Sequence, residues 1–450
     1  MGKRIVINTY GSSGDLNPFL AIGRALQALG HHVVIATDDF SRVYVESADL
    51  EFYTVRRSFL YANEMTTANN LQSYNIGNSY CDLLAAVRWA DLLITHQFAF
   101  AGSIVAARTG IHWVSVALYP FTLASDYEQL LFGTSPSNHP VIATAYKLNL
   151  NLTRQWSRYL TKEAQWLRKK LDLPPGKNIL FEDHHSPDLI LALFSSVFAT
   201  RQSGWPPQTR ITGFPFDDEL ISGGGLPHKL ARFLDDGPPP IVFTLGSDSI
   251  YDTGSFYVES VVAANLLGRR AILLGPGIPS HTLPNNANVI SVEYAPYGEL
   301  FSRAAAVVHH GGIGTIALAM RAGRPMLMLP GFAIDQPDNA VRATNLGVAR
   351  MLTRYEYNAF SAAAELAHLL NDPSYVEKAV EIRRVVRSED GVGAACDEIQ
   401  QYLNRGDGQK FITSPLACKP KATAASNRLG LPLQRHSNPR PRNNSGKSGP

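Results

Sequence analysis

The feature that most constrains this chain is a short apolar run that stops at a glycine- and serine-rich turn and passes into a helical pattern. It occurs at the start and its theme returns in the second half. Residues 4–9 (RIVINT) are rich in β-branched side chains and end at Tyr10-Gly11-Ser12-Ser13-Gly14. Helical spacing follows from Pro18 to Leu29, with Pro18 suited to a first turn and Gly30 to the left-handed residue after the last one. Residues 31–37 (HHVVIAT) then begin a second strand. The sum is a βαβ unit, whose right-handed crossover implies a parallel sheet.

Further strands are expected at Asp91–Thr95 and His112–Leu118, then a long helical stretch from Val141 to Asn178. That stretch carries Trp156, Trp166 and the bases Arg154, Arg158, Lys162, Arg168, Lys169 and Lys170. Its polar face reads as a solvated surface, with contact to a membrane or to an acceptor pocket as the alternatives. Turn formers crowd between Gly204 and Pro240, and Ile241–Ser249 (IVFTLGSDS) then repeats the opening theme. Strand patterns in AILLGP, NVISVEY, AAAVVHH, PMLML and VARML alternate with helical ones. The fold class is therefore α/β, with two Rossmann-like domains whose parallel sheets face each other across a cleft. The boundaries are an N-terminal acceptor domain at 1–212, a linker at 213–240, a nucleotide-sugar domain at 241–404 and a basic tail at 405–450. Ligands are expected at the carboxyl ends of the strands.

A length of 450 residues suits two domains, and 45% apolar with 18% charged residues is ordinary globular usage. The three cysteines, Cys81, Cys396 and Cys418, form no Cys-x-x-Cys pair, so no disulfide framework or zinc cage is expected. The N-terminus turns polar too early for a signal peptide, and no run approaches the ~18–20 apolar residues that cross a bilayer, so a cytoplasmic location is expected. The net charge of +3 comes from the tail, where about nine bases face one acid, leaving a body near −5. An acidic body argues against a nucleic-acid partner. The tail reads as a solvated segment, with peripheral contact to an anionic membrane surface as the alternative.

The strongest local signal is residues 304–330, AAAVVHHGGIGTIALAMRAGRPMLMLP. A buried strand delivers His309 and His310 into Gly311-Gly312-Ile313-Gly314-Thr315 at a helix start. Glycines let backbone approach a phosphate, the first free amides and the positive helix end stabilise its charge, and His310 can add a hydrogen bond. A plain glycine-tightened turn with two bystander histidines is the alternative. Further on, Asp335 and Gln336 follow another buried strand, as an acceptor and donor pair for sugar hydroxyls or as turn and cap residues; Asp338 alone reads as a cap.

Together, His310-Gly311-Gly312, Gly314-Thr315, Gly323-x-Pro325, Asp335-Gln336 and Asn339 resemble the inverting family 1 glycosyltransferases of the GT-B type. These include plant UDP-sugar transferases, bacterial antibiotic glycosyltransferases and sterol glucosyltransferases; the rhamnosyltransferases of rhamnolipid synthesis share the closest flavour. The resemblance implies donor-diphosphate contacts from His310, Gly312 and Thr315, sugar contacts from Asp335 and Gln336, a phosphate contact from Ser247 and base stacking by Tyr294. A core tyrosine is the alternative for Tyr294. The family's ribose-binding glutamate corresponds to Leu318, which leaves dTDP as acceptable as UDP.

For acceptor activation, Asp15 matches the aspartate of the bacterial antibiotic enzymes, and a desolvated carboxylate is a better base. It also reads as a helix cap. His96, at the end of a strand, is the second candidate base. The expected reaction moves a hexose, from dTDP-rhamnose or UDP-glucose, to a hydroxyl of an apolar or lipid-like acceptor with inversion. No cofactor and no metal are expected, since Asp38-Asp39 and Asp217-Asp218 lack neighbouring ligands. Rivals are a non-catalytic sugar-nucleotide-binding helper and a nicotinamide-dependent oxidoreductase. The first loop lacks the G-x-G-x-x-G fingerprint of the latter.

Overall fold

The computed structural model describes residues 2–58, 75–123, 140–222, 225–246, 254–276, 278, 287–331, 333 and 335–405. The side chains of 140–154, 220 and 222 are outside that description, as is the whole of the tail from 406. Two parallel sheets form, each from the apolar runs that the sequence separates by helical patterns. The first holds β1 (Arg4–Asn8), β2 (His32–Thr37), β3 (Glu51–Thr54), β4 (Leu92–Thr95), β5 (His112–Ala117), β6 (Ile190–Ala192) and β7 (Thr209–Ile211). Its order is β3-β2-β1-β4-β5-β6-β7. The second holds β8 (Ile241–Thr244), β9 (Ala271–Leu274), β10 (Val289–Val292), β11 (Ala306–His309), β12 (Met326–Met328) and β13 (Ala349–Met351), in the order β10-β9-β8-β11-β12-β13.

Both orders reverse direction next to the sheet's first strand, between β1 and β4 and between β8 and β11. At such a switch point the two outgoing connections part to opposite faces and leave a crevice at the carboxyl edge. Registry places Asn8 beside Thr95 in the first sheet and Val308 beside Phe243 in the second. The connections that lead to Asp15 and His96 therefore leave adjacent strands, and so do those that lead to Gly246 and His310.

The central strands β1, β8 and β11 are buried, as Ile5, Ile7, Val242, Phe243, Val307 and Val308 show. Helices on both faces exclude water from them, which favours β-branched and leucine runs without alternation. Helix Gly391–Arg405 returns to pack on helix Ser13–Ala28 of the first half. Tyr402 Oη donates to Asp188 (2.9 Å) and Ser195 Oγ to Glu389 (2.8 Å). A Cβ on Gly391 would stand 2.4 Å from the Phe214 carbonyl, so this crossing needs glycine.

Some local expectations are corrected. Helix Ser13–Ala28 starts five residues before Pro18, so Pro18 sits in its second turn rather than its first. Gly30 is left-handed, at φ 86°. The turn-rich stretch 204–240 contains β7 and the helices Asp218–Ser222 and His228–Asp235. Its acids are engaged by both halves: Asp217 and Glu219 pair with Arg24, and Asp218 pairs with Arg321 at 2.6 Å. The long helix is Pro140–Lys170, on which Trp166 and Lys170 are surface residues but Arg168 is buried against Asp183 (3.1 Å). Cys396 is a buried free thiol. Among the described residues no helix is long and apolar enough to cross a membrane.

Candidate active site

At the end of β11 the chain turns through two histidines with different tasks. His309 is fully buried, and its Nδ1 accepts the Gly311 amide at 3.1 Å, which closes the turn. Gly311 is left-handed at φ 92°, a conformation most side chains disfavour. His310 points the other way, against glycines on two sides. A Cβ on Gly246 would meet its Cε1 at 2.3 Å, and one on Gly312 its Nε2 at 2.5 Å. Burial, and then the charge of Arg354, lower the His310 pKa to about 4, so at neutral pH the ring is an uncharged hydrogen-bonding group. Its Nδ1 has no hydrogen-bond partner although it is buried. An unmet buried nitrogen costs about 1–3 kcal/mol, which a ligand can recover.

Gly312 caps helix Ile313–Ala322 in an extended conformation without a side chain to cover the helix end. The amides of Ile313, Gly314 and Thr315 thus have no acceptor within the helix, and the positive end of its dipole is bare of any capping group. Thr315 is buried in that first turn. The arrangement is suited to an anion.

The acid–amide pair is latched to the same turn. Asn339 Nδ2 donates to Asp335 Oδ2 (2.8 Å) and to the Gly311 carbonyl (3.2 Å). Gln336 Oε1 accepts the Gly331 amide at 2.8 Å, so what Gln336 can offer a ligand is its NH2. Asp338 instead pairs with Arg342 one turn along (2.7 Å), a structural task. Tyr294 is 64% exposed, which removes the core alternative for it. The core residue is Tyr297, hydrogen-bonded to Thr244 at 3.0 Å. Leu318 lies partly buried against the core. Ser247 lies outside the described residues.

In the first sheet Ser12 is the N-cap and Asp15 closes the capping box, accepting the Ser12 amide (3.0 Å) and hydroxyl (3.1 Å) on Oδ2. Asp15 is therefore tied to the helix start without being its N-cap. Gly11, at φ 121°, must be glycine, since a Cβ would stand 2.3 Å from Asp15 Oδ2. The other oxygen, Oδ1, lies 3.5 Å from His96 Nε2, within ion-pair range but long for a hydrogen bond. His96 Nδ1 accepts the Phe98 amide (3.1 Å), which leaves the proton of a neutral ring on Nε2, facing Asp15. The His96 side chain is completely enclosed, with Phe19 and Phe98 edge-on to it, whereas that of Asp15 is 19% exposed. Behind them, Phe98, Phe100 and Trp156 form an aromatic wall.

The two halves meet at these helix starts. A Cβ on Gly314 would lie 3.5 Å from Gly14 Cα, so the N-terminus of helix Ser13–Ala28 abuts that of helix Ile313–Ala322. Two positive helix ends and Asp15 thereby share one neighbourhood. Among the described residues no group of three His, Cys, Asp or Glu side chains is placed to hold a metal ion. Asp38 and Asp217 are paired with Arg57 and Arg24.

Comparisons with known proteins bear on the family and the fold. Residues 5–108 match the glycosyltransferase family 28 N-terminal domain, and residues 278–394 match the erythromycin biosynthesis protein CIII-like C-terminal domain. O-mycaminosyltylonolide 6-deoxyallosyltransferase of Streptomyces fradiae is 31% identical over 430 residues, covering 89% of this chain and 97% of the relative. A sterol 3-beta-glucosyltransferase of Aspergillus terreus is 26% identical over 94% of this chain, which spans only 32% of that longer protein. Among solved structures, the glycosyltransferase of kitacinnamycin superposes with a TM-score of 0.69 at 19% identity, covering 90% of this chain and all of the other. The spinosyn rhamnosyltransferase SpnG, solved with thymidine diphosphate, gives 0.64 at 18% identity over 89% of this chain and all of the other. The chain thus belongs to the family 1 glycosyltransferases of GT-B fold, the group that holds these antibiotic and sterol sugar transferases.

Proposed function

We propose that this glycosyltransferase moves a hexose from a dTDP- or UDP-linked donor to a hydroxyl of an apolar acceptor, with inversion and without a metal. The observation that carries the reading is the abutment of the two helix starts at Gly14 and Gly314, the first next to Asp15 in the chain and the second in the turn that follows His310; it supports a shared site. Asp15 acts as the base. It is partly exposed, whereas His96 is enclosed and has Nδ1 engaged, so His96 serves as a positioning residue that faces Asp15 Oδ1.

In the reaction, Asp15 takes the proton of the acceptor hydroxyl as its oxygen bonds to the anomeric carbon. The bond from that carbon to the β-phosphate oxygen breaks, and the electron pair stays on the diphosphate. The helix amides and His310 receive the developing charge as fixed dipoles that need no reorganisation as the bond breaks, and Ser247 adds its hydroxyl. Asp335 and Gln336 hold the sugar hydroxyls, and Tyr294 stacks on the base. Relatives whose names specify a deoxy sugar, and neighbours solved with thymidine diphosphate, support dTDP as the first donor to test. The aromatic wall of Phe98, Phe100 and Trp156 supports an apolar acceptor.

The test is transfer from dTDP-rhamnose and UDP-glucose to hydroxy fatty acids, sterols and macrolide aglycones, with and without a chelator, reading the product anomer by NMR. An inverted product that forms equally well in chelator is expected. A retained configuration would overturn the single displacement, and chelator-sensitive turnover the metal-free site. Donor binding with no transfer to any acceptor would favour the helper alternative.

A further inference from the structure

Helix Pro140–Lys170 has two described faces of opposite character. One turns Leu160, Ala164 and Leu167 into the core, and Trp156 joins the aromatic wall, its ring centroid 6.4 Å from that of Phe98 and 6.0 Å from that of Phe100. On the other, the exposed residues from Arg158 onwards are Arg158, Tyr159, Lys162, Trp166, Lys169 and Lys170. They recur three or four positions apart, so they form one stripe, about 18 Å long at a rise of about 1.5 Å per residue.

The fold has sorted the charge on this stretch. Its acid, Glu163, is half-buried, and its carboxylate accepts the Ile76 amide at 2.8 Å. Arg168 is buried against Asp183 (3.1 Å). What stays outside is cationic: Arg158, Lys162, Lys169 and Lys170, none of which forms an ion pair among the described residues. A body of roughly −5 net charge thus carries a concentrated positive strip. Two large aromatic side chains lie within the strip. Tyr159 is 68% and Trp166 61% exposed, and Lys170 Nζ stands 5.0 Å from the Trp166 ring centroid. Rings with an apolar body and a polar edge gain nothing from bulk water, whereas at the level of lipid headgroups both parts are satisfied, and neighbouring basic side chains extend to the phosphates.

We propose that this face of helix Pro140–Lys170 docks on an anionic lipid bilayer, with Tyr159 and Trp166 among the headgroups and Arg158, Lys162, Lys169 and Lys170 against their phosphates. The occupant is chosen by charge complementarity and by the aromatic rings set among the bases. The helix lies along the bilayer surface, and among the described residues no helix is long and apolar enough to cross one. Trp156 on its opposite side belongs to the wall behind His96, so docking holds that wall about one helix diameter, roughly 10 Å, from the layer in which apolar molecules dissolve. The proposal goes beyond the transfer reaction and does not depend on it.

The experiment is co-sedimentation of the full chain with vesicles of phosphatidylcholine alone and of phosphatidylcholine mixed with phosphatidylserine. Wild type is compared with Lys162→Gln/Lys169→Gln/Lys170→Gln, with the same three positions changed to Arg, and with Trp166→Ser. All four side chains are exposed, so denaturant midpoints should match wild type. Wild type should bind the mixed vesicles, ignore the neutral ones and be released as salt shortens the Debye length. Each base near an anionic surface is worth roughly 5-fold in partitioning, so the triple Gln variant should lose about 100-fold and the triple Arg variant little. Trp166→Ser should bind severalfold more weakly at unchanged charge. Absence of wild-type binding to the mixed vesicles, or unchanged affinity of Trp166→Ser, overturns the proposal. Equal binding by the triple Gln variant overturns it too and moves the contact to the basic tail. A wild-type dimer in ultracentrifugation that the triple Gln variant abolishes, or binding to polyglutamate as tight as to the vesicles, would put a second copy or an acidic protein on this face instead.

Discussion

Replacing Asp15 by Asn separates the two tasks that its oxygens share. Oδ2 holds the Ser12 amide and hydroxyl, and an asparagine oxygen can keep the first of these contacts. What is lost is the negative charge at a helix N-terminus, worth about 0.3–1 kcal/mol, and part of the attraction to His96. The unfolding midpoint should therefore move by only a few degrees. Turnover is another matter, because an amide cannot take the acceptor's proton. A general base contributes about 10²–10⁴-fold, equal to roughly 3–5 kcal/mol of barrier, several times the stability term. The assay is steady-state transfer with saturating donor, alongside calorimetric donor binding and denaturant melts. Because the donor contacts proposed above come from the other half, donor affinity should stay within a factor of a few. His96→Gln should cost less on its own, and the Asp15→Asn/His96→Gln double variant little more than Asp15→Asn, since His96 acts through Asp15. The pH profile of the His96→Gln enzyme should also shift. Turnover near wild type in folded Asp15→Asn refutes the base assignment, and a larger loss for His96→Gln than for Asp15→Asn would transfer that role to His96.

Three further outcomes are expected. His310→Ala should lower kcat by about 10²–10³-fold, the usual worth of one oxyanion donor, while the backbone-built turn keeps its fold; wild-type turnover in a folded variant would sink the assignment. Asp335→Ala and Gln336→Ala should each change the ratio of kcat/KM between rhamnosyl and glucosyl donors, and an unchanged ratio would show that neither touches the sugar. Stability should fall on acidification: burial lowers the pKa of His184, His185, His309 and His310, to about 4 for His185 and His310, against 6.5 in an open chain. Between about pH 6.5 and 4 the unfolded chain binds protons that the native one refuses, so each such histidine removes up to about 1.4 kcal/mol per pH unit. Equal denaturant midpoints at pH 7.5 and 5.5 would contradict this.

Much of the fold was readable because parallel strands buried on both faces must be continuous apolar runs. RIVINT, HHVVIAT, DLLIT, IVFTL and AVVHH each became a strand within a residue or two of the reading. Shorter or more polar strands gave less. β3 (Glu51–Thr54) is only partly buried, and β7 (Thr209–Ile211) hides among prolines and glycines that read as turns. Their strand character comes from pairing with β2 and β6, a non-local cause. Likewise Pro18 invited a helix start at itself, while the Ser12–Asp15 capping box set the start earlier.

By itself the sequence determined the α/β class, the doubled Rossmann-like pattern and the glycine turn at His310, because these follow from local backbone chemistry and from the period of apolar residues. It left Asp15 suspended between base and cap and treated His96 as a separate candidate. Those questions turn on distances between residues far apart in the chain. Only tertiary structure could bring His96 to 3.5 Å from Asp15 or set Gly314 against Gly14. The physical reason is that strand order, not strand sequence, decides which loops leave a sheet side by side, and strand order is fixed by the packing of the whole chain.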